Sequence, residues 1–429
     1  MNQLMRKLIM VLILLTVIAS CTSGCYDQRE VDEMAYVMAM GFDKGTTEKL
    51  RLTLQIITFR NQEGGEQGGR QRGGQGGGQT DQITVECSAL FDGINLANTI
   101  LSRQINLMHA KHIVISEELA RNGDVEKYIS AVIRYRQIRR IMNFIVTKGK
   151  AEDFLKENQP FIGNDPPKDM QLLKKQSAYT SYIPEVKLFD FYNNVKSTMI
   201  DPIAILAGVN PEGNLAAGNL TEESLQSGQY LAGKIPREGG TKKEYFGAAV
   251  FRGAKMVGEI DGNGVKMYKM VHGLFERGYF IINDPLAPDY VISLDVRQSR
   301  KPSIEVKVTG NEPKINVEIF LEGEILAIQS RINYEDPKQS HILETTFEKI
   351  IKEHLDSLIK TCQQDFKADI FGFGRYAAFS FPTIESWEEY NWKEKFPEGK
   401  VSTKVNFVIR RTGMITKSSP IVPPIGDVQ

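Results

Sequence analysis

Apolar and polar positions alternate with period two over Leu52–Ile56 and again over Ile83–Cys87, the spacing of half-buried strands. A run from Val31 to Asp43 leads into another strand, closed by Gly41 and Asp43. Turn-like residues 45–49 follow it, so the pattern predicts a hairpin with Leu52–Ile56. After Cys87 the spacing becomes helical: Leu90, Ile94, Ala97 and Leu101 share one face of a segment that Ser88 caps and that runs to about Arg103. Leu107–Ser116 reads as a strand, and Glu117–Arg140 as a helix in two pieces broken at Asn122-Gly123. A strand over Met142–Val146, helices over Lys168–Ser181 and Leu188–Val195, and a strand over Ala204–Val209 complete the first half.

The second half reads differently. Tyr245–Phe251 and Met256–Ile260 form a hairpin turning at Gly253, and a helix covers Val265–Glu276. Three period-two strands follow at Tyr290–Val296, Ser303–Thr309 and Lys314–Ile325. Ile342–Cys362 is an amphipathic helix expected to bury Phe347, Ile351, Leu355 and Ile359, with His354 as a core residue; a strand over Val401–Arg410 ends the pattern. The fold class is α+β: multi-domain mixed sheets with packed helices, and a C-terminal antiparallel sheet carrying one long amphipathic helix.

Two stretches lack periodicity. Asn61–Gln82 is almost wholly Gly, Gln, Arg and Glu; with nothing to bury it cannot offset its ordering entropy, so a disordered loop between strands is expected. Asn210–Lys243 is polar and Gly-rich, the expected main connector.

Composition narrows the function. Lys+Arg and Asp+Glu both count 53 in 429 residues, so no global field draws the chain to nucleic acid. The low-complexity stretch offers only Arg70 and Arg72 and no aromatic, too little for a single-strand-binding segment. Apolar content of 41% with 25% charged residues is that of a globular body standing in water.

The N-terminus sets that body at a membrane. Arg6 and Lys7 precede an apolar run, Leu8–Ile18, broken only by Thr16; this is the length of a signal-peptide core and short of the roughly 20 residues that span a bilayer. Small residues and cysteines follow, Ile18-Ala19-Ser20-Cys21 and then Gly24-Cys25. A positive start, a short apolar core and a small-residue box ending in cysteine is the pattern of a bacterial lipoprotein signal, with Cys21 or Cys25 the lipidated residue. Cys21 has the better local box, with Ile18 three positions upstream, where Cys25 has Thr22. Two acyl chains at ~0.8 kcal/mol per buried methylene anchor such a protein in effect permanently.

Catalytic chemistry finds little support. His109 and His112 have no acidic or cysteine partner at ligand spacing, no Cys/His metal spacing occurs, and no nucleophile elbow or phosphate loop sits between a strand and a helix. Glu388 and Glu389 lie on an expected solvated helix, and Cys87 and Cys362 are expected to be buried free thiols. No cofactor is implied. Arg134, Arg136, Arg139 and Arg140 crowd the end of one predicted helix: either a solvated helix end, its cations near the negative pole of the dipole, or a patch for a partner subunit or anionic headgroups.

Four stretches, in order, resemble the Ger(x)C family, the lipoprotein C subunits of spore germinant receptors. They are Cys25-Tyr26-Asp27-Gln28-Arg29-Glu30 with Gly41-Phe42-Asp43; the block from Glu117 to Leu155; Gly247-Ala248-Ala249-Val250-Phe251 with Val257-Gly258-Glu259-Ile260; and Ala368-Asp369-Ile370-Phe371-Gly372-Phe373-Gly374 with Trp392 and Phe396-Pro397. Tyr26 stands where the family usually has Trp, and the family lipidates the cysteine beside that aromatic, which favours Cys25 against the local box. The resemblance implies a non-enzymatic subunit, lipid-anchored to the outer face of the spore inner membrane. Its partners would be an A subunit with membrane helices and a transporter-like B subunit. The expected division is 1–21 signal, 26–205 N-terminal germination-protein domain holding the loop 61–82, 206–243 connector, 244–417 C-terminal domain and 418–429 tail. A solute-binding lipoprotein of a transporter is the alternative; it requires two similar α/β lobes around a cleft.

Overall fold

The computed structural model describes residues 3–22, 30–58, 79–157, 172, 175–211, 228–310, 312–415 and 418. Helix α1 (Gln3–Thr22) comes first, and no helix among the described residues is long and apolar enough to cross a membrane. Strands β1 (Met34–Lys44), β2 (Leu50–Thr58) and β3 (Gln79–Cys87) form an antiparallel meander, with Phe42 opposite Leu52 and Leu54 opposite Ile83. Helix α2 (Leu90–Ile100) leads to β4 (Gln104–Asn106) and β5 (His112–Ser116), both parallel to β1. Helices α3 (Glu117–Asn122) and α4 (Val125–Arg134) cross to β6 (Asn143–Thr147). Then come α5 (Ala151–Lys156), α6 (Leu188–Lys196) and β7 (Ile203–Val209). All five residues of β5 are buried, as a parallel strand covered on both faces requires.

The first sheet does not stop at the expected connector. β8 (Lys243–Arg252) pairs antiparallel with β7, Ile203 opposite Val250 and Val209 opposite Lys243, and β9 (Lys255–Ile260) pairs with β8. Nine strands result, in the order β3-β2-β1-β5-β6-β7-β8-β9 with β4 beside β1. The reason is in β8 itself: seven of its ten residues are buried and none is exposed, the burial of an interior strand, whose backbone needs a neighbour along each edge. Gly247 is required there, since its φ is +81° and a Cβ would sit 2.4 Å from the Ile260 carbonyl oxygen. Residues 212–227 of the connector and 59–78 of the low-complexity stretch lie outside the described residues. Gln79–Gln82, expected in the disordered loop, belong to β3; backbone pairing with Gln55–Thr58 holds them whatever their polar side chains.

Helix α7 (Gly262–His272) joins the first sheet to a second of five strands: β10 (Gly278–Asp284), β11 (Ala287–Gln298), β12 (Ser303–Thr309), β13 (Glu312–Ile328) and, at the end of the chain, β14 (Lys400–Arg411). β10, β11, β12 and β13 pair antiparallel, as the alternation implied. β11 and β12 lie end to end along one edge of β13, opposite Leu321–Ile328 and Glu312–Glu318. β14 takes the other edge in parallel, Ile315 opposite Val401, because the helices α8 (Pro337–Thr361), α9 (Phe373–Ala377), α10 (Ile384–Tyr390) and α11 (Trp392–Lys395) intervene and return the chain to the same end. α8 starts at Pro337 behind the Asp336 cap and buries Leu343, Phe347, Ile351, Leu355 and Ile359. Phe347 packs between Phe280 of β10, edge-on, and Phe407 of β14, tilted. One contiguous apolar core runs from Ala35 to Phe407 and joins the two sheets.

Several boundaries move for local reasons. Ser88 does not cap α2; its N–H and Oγ both bond the Asp92 carboxylate, and extended Leu101 ends the helix before Arg103. Leu107–Lys111 is a turn, with Gln104–Asn106 already paired as β4. Gly273, at φ 67°, stops α7 ahead of Glu276. Of Lys168–Ser181, residues 175–180 are helical and most of the rest lies outside the described residues. His354 is half-exposed and not a core residue: one residue short of fully buried Leu355, it falls at the rim of the apolar face.

Candidate functional site

The arginine-rich link is built by two apolar pins. α4 buries Val125, Ile129 and Val132, so its last residue, Arg134, emerges at the surface. Tyr135 leaves the helix in an extended conformation, and the chain turns twice, with the Ile138 N–H donating to the Tyr135 carbonyl and the Met142 N–H to that of Arg139. Ile138 and Met142 plug the core, which turns Arg136, Arg139 and Arg140 outward. All four arginines are exposed, and none of their guanidinium groups forms an ion pair or hydrogen bond with another described residue. Only Arg134 stands on a helix end, so complementing the dipole accounts for one of the four. The N–H groups of Leu188 and Phe189 donate to the carbonyls of Met142 and Arg140, tying the link to α6.

The other sequence candidates scatter. Cys21 lies within α1, while Cys25 is outside the described residues. His109 packs edge-on against Tyr36 with ring centres 5.0 Å apart. His112 is buried in β5, its Nδ1 3.3 Å from the Asn143 side-chain amide. Cys87 and Cys362 are free and buried; burial pushes the Cys87 thiol up to about 11 and the Cys362 thiol well above its ordinary value, so neither is a ready nucleophile. Glu388 and Glu389 are exposed on α10. No group of three or more His, Cys, Asp or Glu side chains among the described residues is arranged to hold a metal.

The sequence reading passed over an interior polar layer around α7. Lys266 and Lys269 are 1% and 4% exposed. Lys266 Nζ donates to the Tyr279 carbonyl at 2.6 Å and lies over the rings of Tyr182 and Phe280; Lys269 Nζ donates to the Ser177 carbonyl at 2.7 Å. Desolvation lowers these ammonium groups to about 7 and about 8. Nearby, His272 Nε2–H donates to the Ile370 carbonyl, and burial lowers its imidazole to about 4, so it stays neutral at physiological pH. A signal was present: Gly-Asn-Gly-Val-Lys-Met-Tyr-Lys-Met-Val has two lysines three apart with apolar residues on every side, leaving no polar face to hold them. An open cleft of about 600 Å³ lies between the start of α7 and α8, with Glu259, Asp261, Asn263, Glu353, His354 and Ser357 on its walls. Glu259 there is already engaged by Lys148 at 2.8 Å.

Comparison with known proteins agrees along the chain. The family model of the spore germination protein N-terminal domain matches residues 27–208, and that of the spore germination B3/GerAC-like C-terminal domain matches 246–413. The boundary between them falls where β7 meets β8, inside one sheet. Spore germination protein KC of Bacillus subtilis (strain 168) is 26% identical over 423 residues, covering 97% of this chain and 98% of that protein. Spore germination protein B3 of the same organism is 20% identical, covering 92% and 95%, and GerQC of Bacillus cereus 19%, covering 94% and 98%. The crystal structure of the GerBC protein has the same fold, with a TM-score of 0.52 and 16% identity over 86% of this chain and 96% of that one.

Proposed function

Because the chain belongs to the Ger(x)C family of spore germination proteins, we propose that it is the lipid-anchored, non-catalytic C subunit of a spore germinant receptor. The observation that carries this reading is the pair of family matches in order, behind a leader that ends in Cys21 and Cys25. The diacylglyceryl cysteine tethers the body to the outer face of the spore inner membrane. There it assembles with the receptor's A and B membrane subunits.

Such a subunit acts through binding free energy, and tethering raises its effective concentration toward the millimolar range, so weak contacts suffice. The arginine link, Arg134, Arg136, Arg139 and Arg140, is the contact surface we assign to it. Guanidinium forks pair with carboxylates of a partner subunit or with phosphates at the membrane. The alternative, a solute-binding lipoprotein, fits poorly: a nine-stranded mixed sheet and a five-stranded sheet are not two similar lobes.

The test is deletion of the gene, with germination scored on a panel of amino acids and sugars, and co-purification of the A and B subunits with the tagged chain. Loss of the response to one class of nutrient and recovery of both subunits are expected. Unchanged germination on the whole panel, with no subunit recovered, would overturn the reading.

A further inference from the structure

The arginine link and the start of the folded body stand at one pole of the molecule. β1, β5 and β6 are parallel, with Ala39 opposite His112 and His112 opposite Asn143, so their amino-terminal ends share one end of the sheet. β1 reaches further at that end, where Met34 pairs with Gln104. α2 and α4 both return from the far end, bringing Ile100 and Arg134 out at this pole. Arg103, Met108 and Arg136–Ile141 occupy the links that enter β4, β5 and β6. Phe189 is bonded to the link through the Arg140 carbonyl.

The pole carries exposed apolar side chains beside its cations. Val31, Ile100 and Ile141 are 75%, 66% and 69% exposed, and Phe189 and Met108 are exposed as well. It is not uniformly basic: Asp32 and Glu33 follow Val31, and Asp190 follows Phe189. The positive charge is concentrated from Arg134 to Arg140, where no acidic residue intervenes. Guanidinium groups interleaved with large apolar side chains are what an interfacial surface on an anionic bilayer presents.

We propose that this pole rests on the bilayer, with Arg136, Arg139 and Arg140 among the phosphates of anionic lipids and Ile141, Ile100 and Phe189 at the headgroup boundary. The proposal rests on the lipid-anchored reading, which also supplies its strongest argument. Fully extended, the chain from Cys25 to Val31 reaches about 20 Å, and from Cys21 about 35 Å. A body held by so short a strap at Val31 keeps this pole near the headgroups and the hairpin turn at residues 45–49 far from them.

The experiment uses the full lipidated chain in vesicles of phosphatidylcholine and phosphatidylglycerol that contain nitroxide-labelled lipid. An environment-sensitive fluorescent amino acid is placed at position 141, and in a second preparation at exposed position 47 on the distal turn. Quenching at 141 is expected to exceed that at 47 several-fold. It should fall at least about twofold with Arg139→Glu/Arg140→Glu, or when phosphatidylglycerol is replaced by phosphatidylcholine. Equal quenching at the two positions overturns the proposal. So does a probe at 141 that lipid never quenches but that becomes shielded when the A and B subunits are added, since the link is then a protein contact. Retention on vesicles through a carbonate wash reports the anchor separately: a chain that washes off refutes the lipid anchor, whatever the probes show. If the double Glu variant melts early, Arg139→Gln/Arg140→Gln takes its place.

Discussion

Asp201 and Asp369 clasp each other's backbone. The Asp201 N–H donates to the Asp369 carbonyl at 2.8 Å, and the Asp369 N–H donates to Asp201 Oδ2 at 3.1 Å. Both are 1% exposed, one just before β7 and the other in the turn after α8, so the clasp locks the second family segment onto the first. Three of the four carboxylate oxygens are engaged, while Asp369 Oδ1 is buried without a hydrogen-bond partner. Asp201 Oδ1 accepts from Lys393 and the Gly253 N–H, while Asp369 Oδ2 accepts from the Gly374 N–H and Trp392 Nε1–H. Gly374 has to be glycine, since a Cβ would lie 2.5 Å from the Met199 carbonyl oxygen. The run Ala368–Gly374 and Trp392 are therefore one structural device.

Asp201→Ala is expected to cost about 3 kcal/mol, because the Lys393 ammonium and two N–H groups lose their buried acceptor. Urea unfolding monitored by tryptophan fluorescence measures it. A loss below about 0.5 kcal/mol, the size of an ordinary surface substitution, would show that the clasp contributes nothing special.

Asp369 gives a pH signature on the acid side. Desolvation outweighs the N–H donors and raises its carboxyl to about 6, so the folded state holds a proton that the unfolded state releases from about 4 upward. Its contribution is complete below pH 4 and is lost as pH rises through 6. His272, lowered to about 4, contributes in the opposite sense over nearly the same window, so Asp369→Asn should make the melting temperature rise with pH more steeply than in the parent; an unchanged profile would assign the effect elsewhere.

Lys266 and Lys269 act in the opposite sense. Their folded values, about 7 and about 8, lie below the ordinary 10.5, so the unfolded chain binds more protons and stability rises with pH from 7 upward. Between pH 7 and 9, below the range where the raised Cys87 thiol opposes the trend, the gain is on the order of 3 kcal/mol. Calorimetric melting of Lys266→Met/Lys269→Met should show no such rise; a double variant with the parent's slope would clear the two lysines.

Leu355 is fully buried on the inner face of α8, and Leu355→Ala should cost about 2–5 kcal/mol through the cavity it leaves. Denaturant midpoints report it. A mild effect would mean that this face of α8 packs loosely enough to collapse.

Metabolic labelling with palmitate decides the anchor. Cys21→Ala and Cys25→Ala are compared with the double variant, and the label should vanish in the double variant and in one of the singles. Label that survives in the double variant refutes lipidation at either cysteine.

Much of the architecture was legible because burial has a period. Leu52–Ile56, Ser303–Thr309 and the α8 face announce themselves by which residues repeat on one side, and those elements stand where the alternation placed them. The charges at Arg134–Arg140 were equally plain. Their isolation from every described partner was not, since that depends on Ile138 and Met142 finding the core.

The sequence by itself determined most of the elements, the α+β class and, through four short motifs, the family, because each is written in neighbouring residues. Only the tertiary structure decided that Tyr245–Ile260 joins the first sheet, that β14 runs parallel to β13, and that two lysines and two aspartates are sealed inside. Strand partners and desolvation are set by residues dozens or hundreds of positions away. An edge-to-edge backbone pairing or a shared core leaves no local period to read.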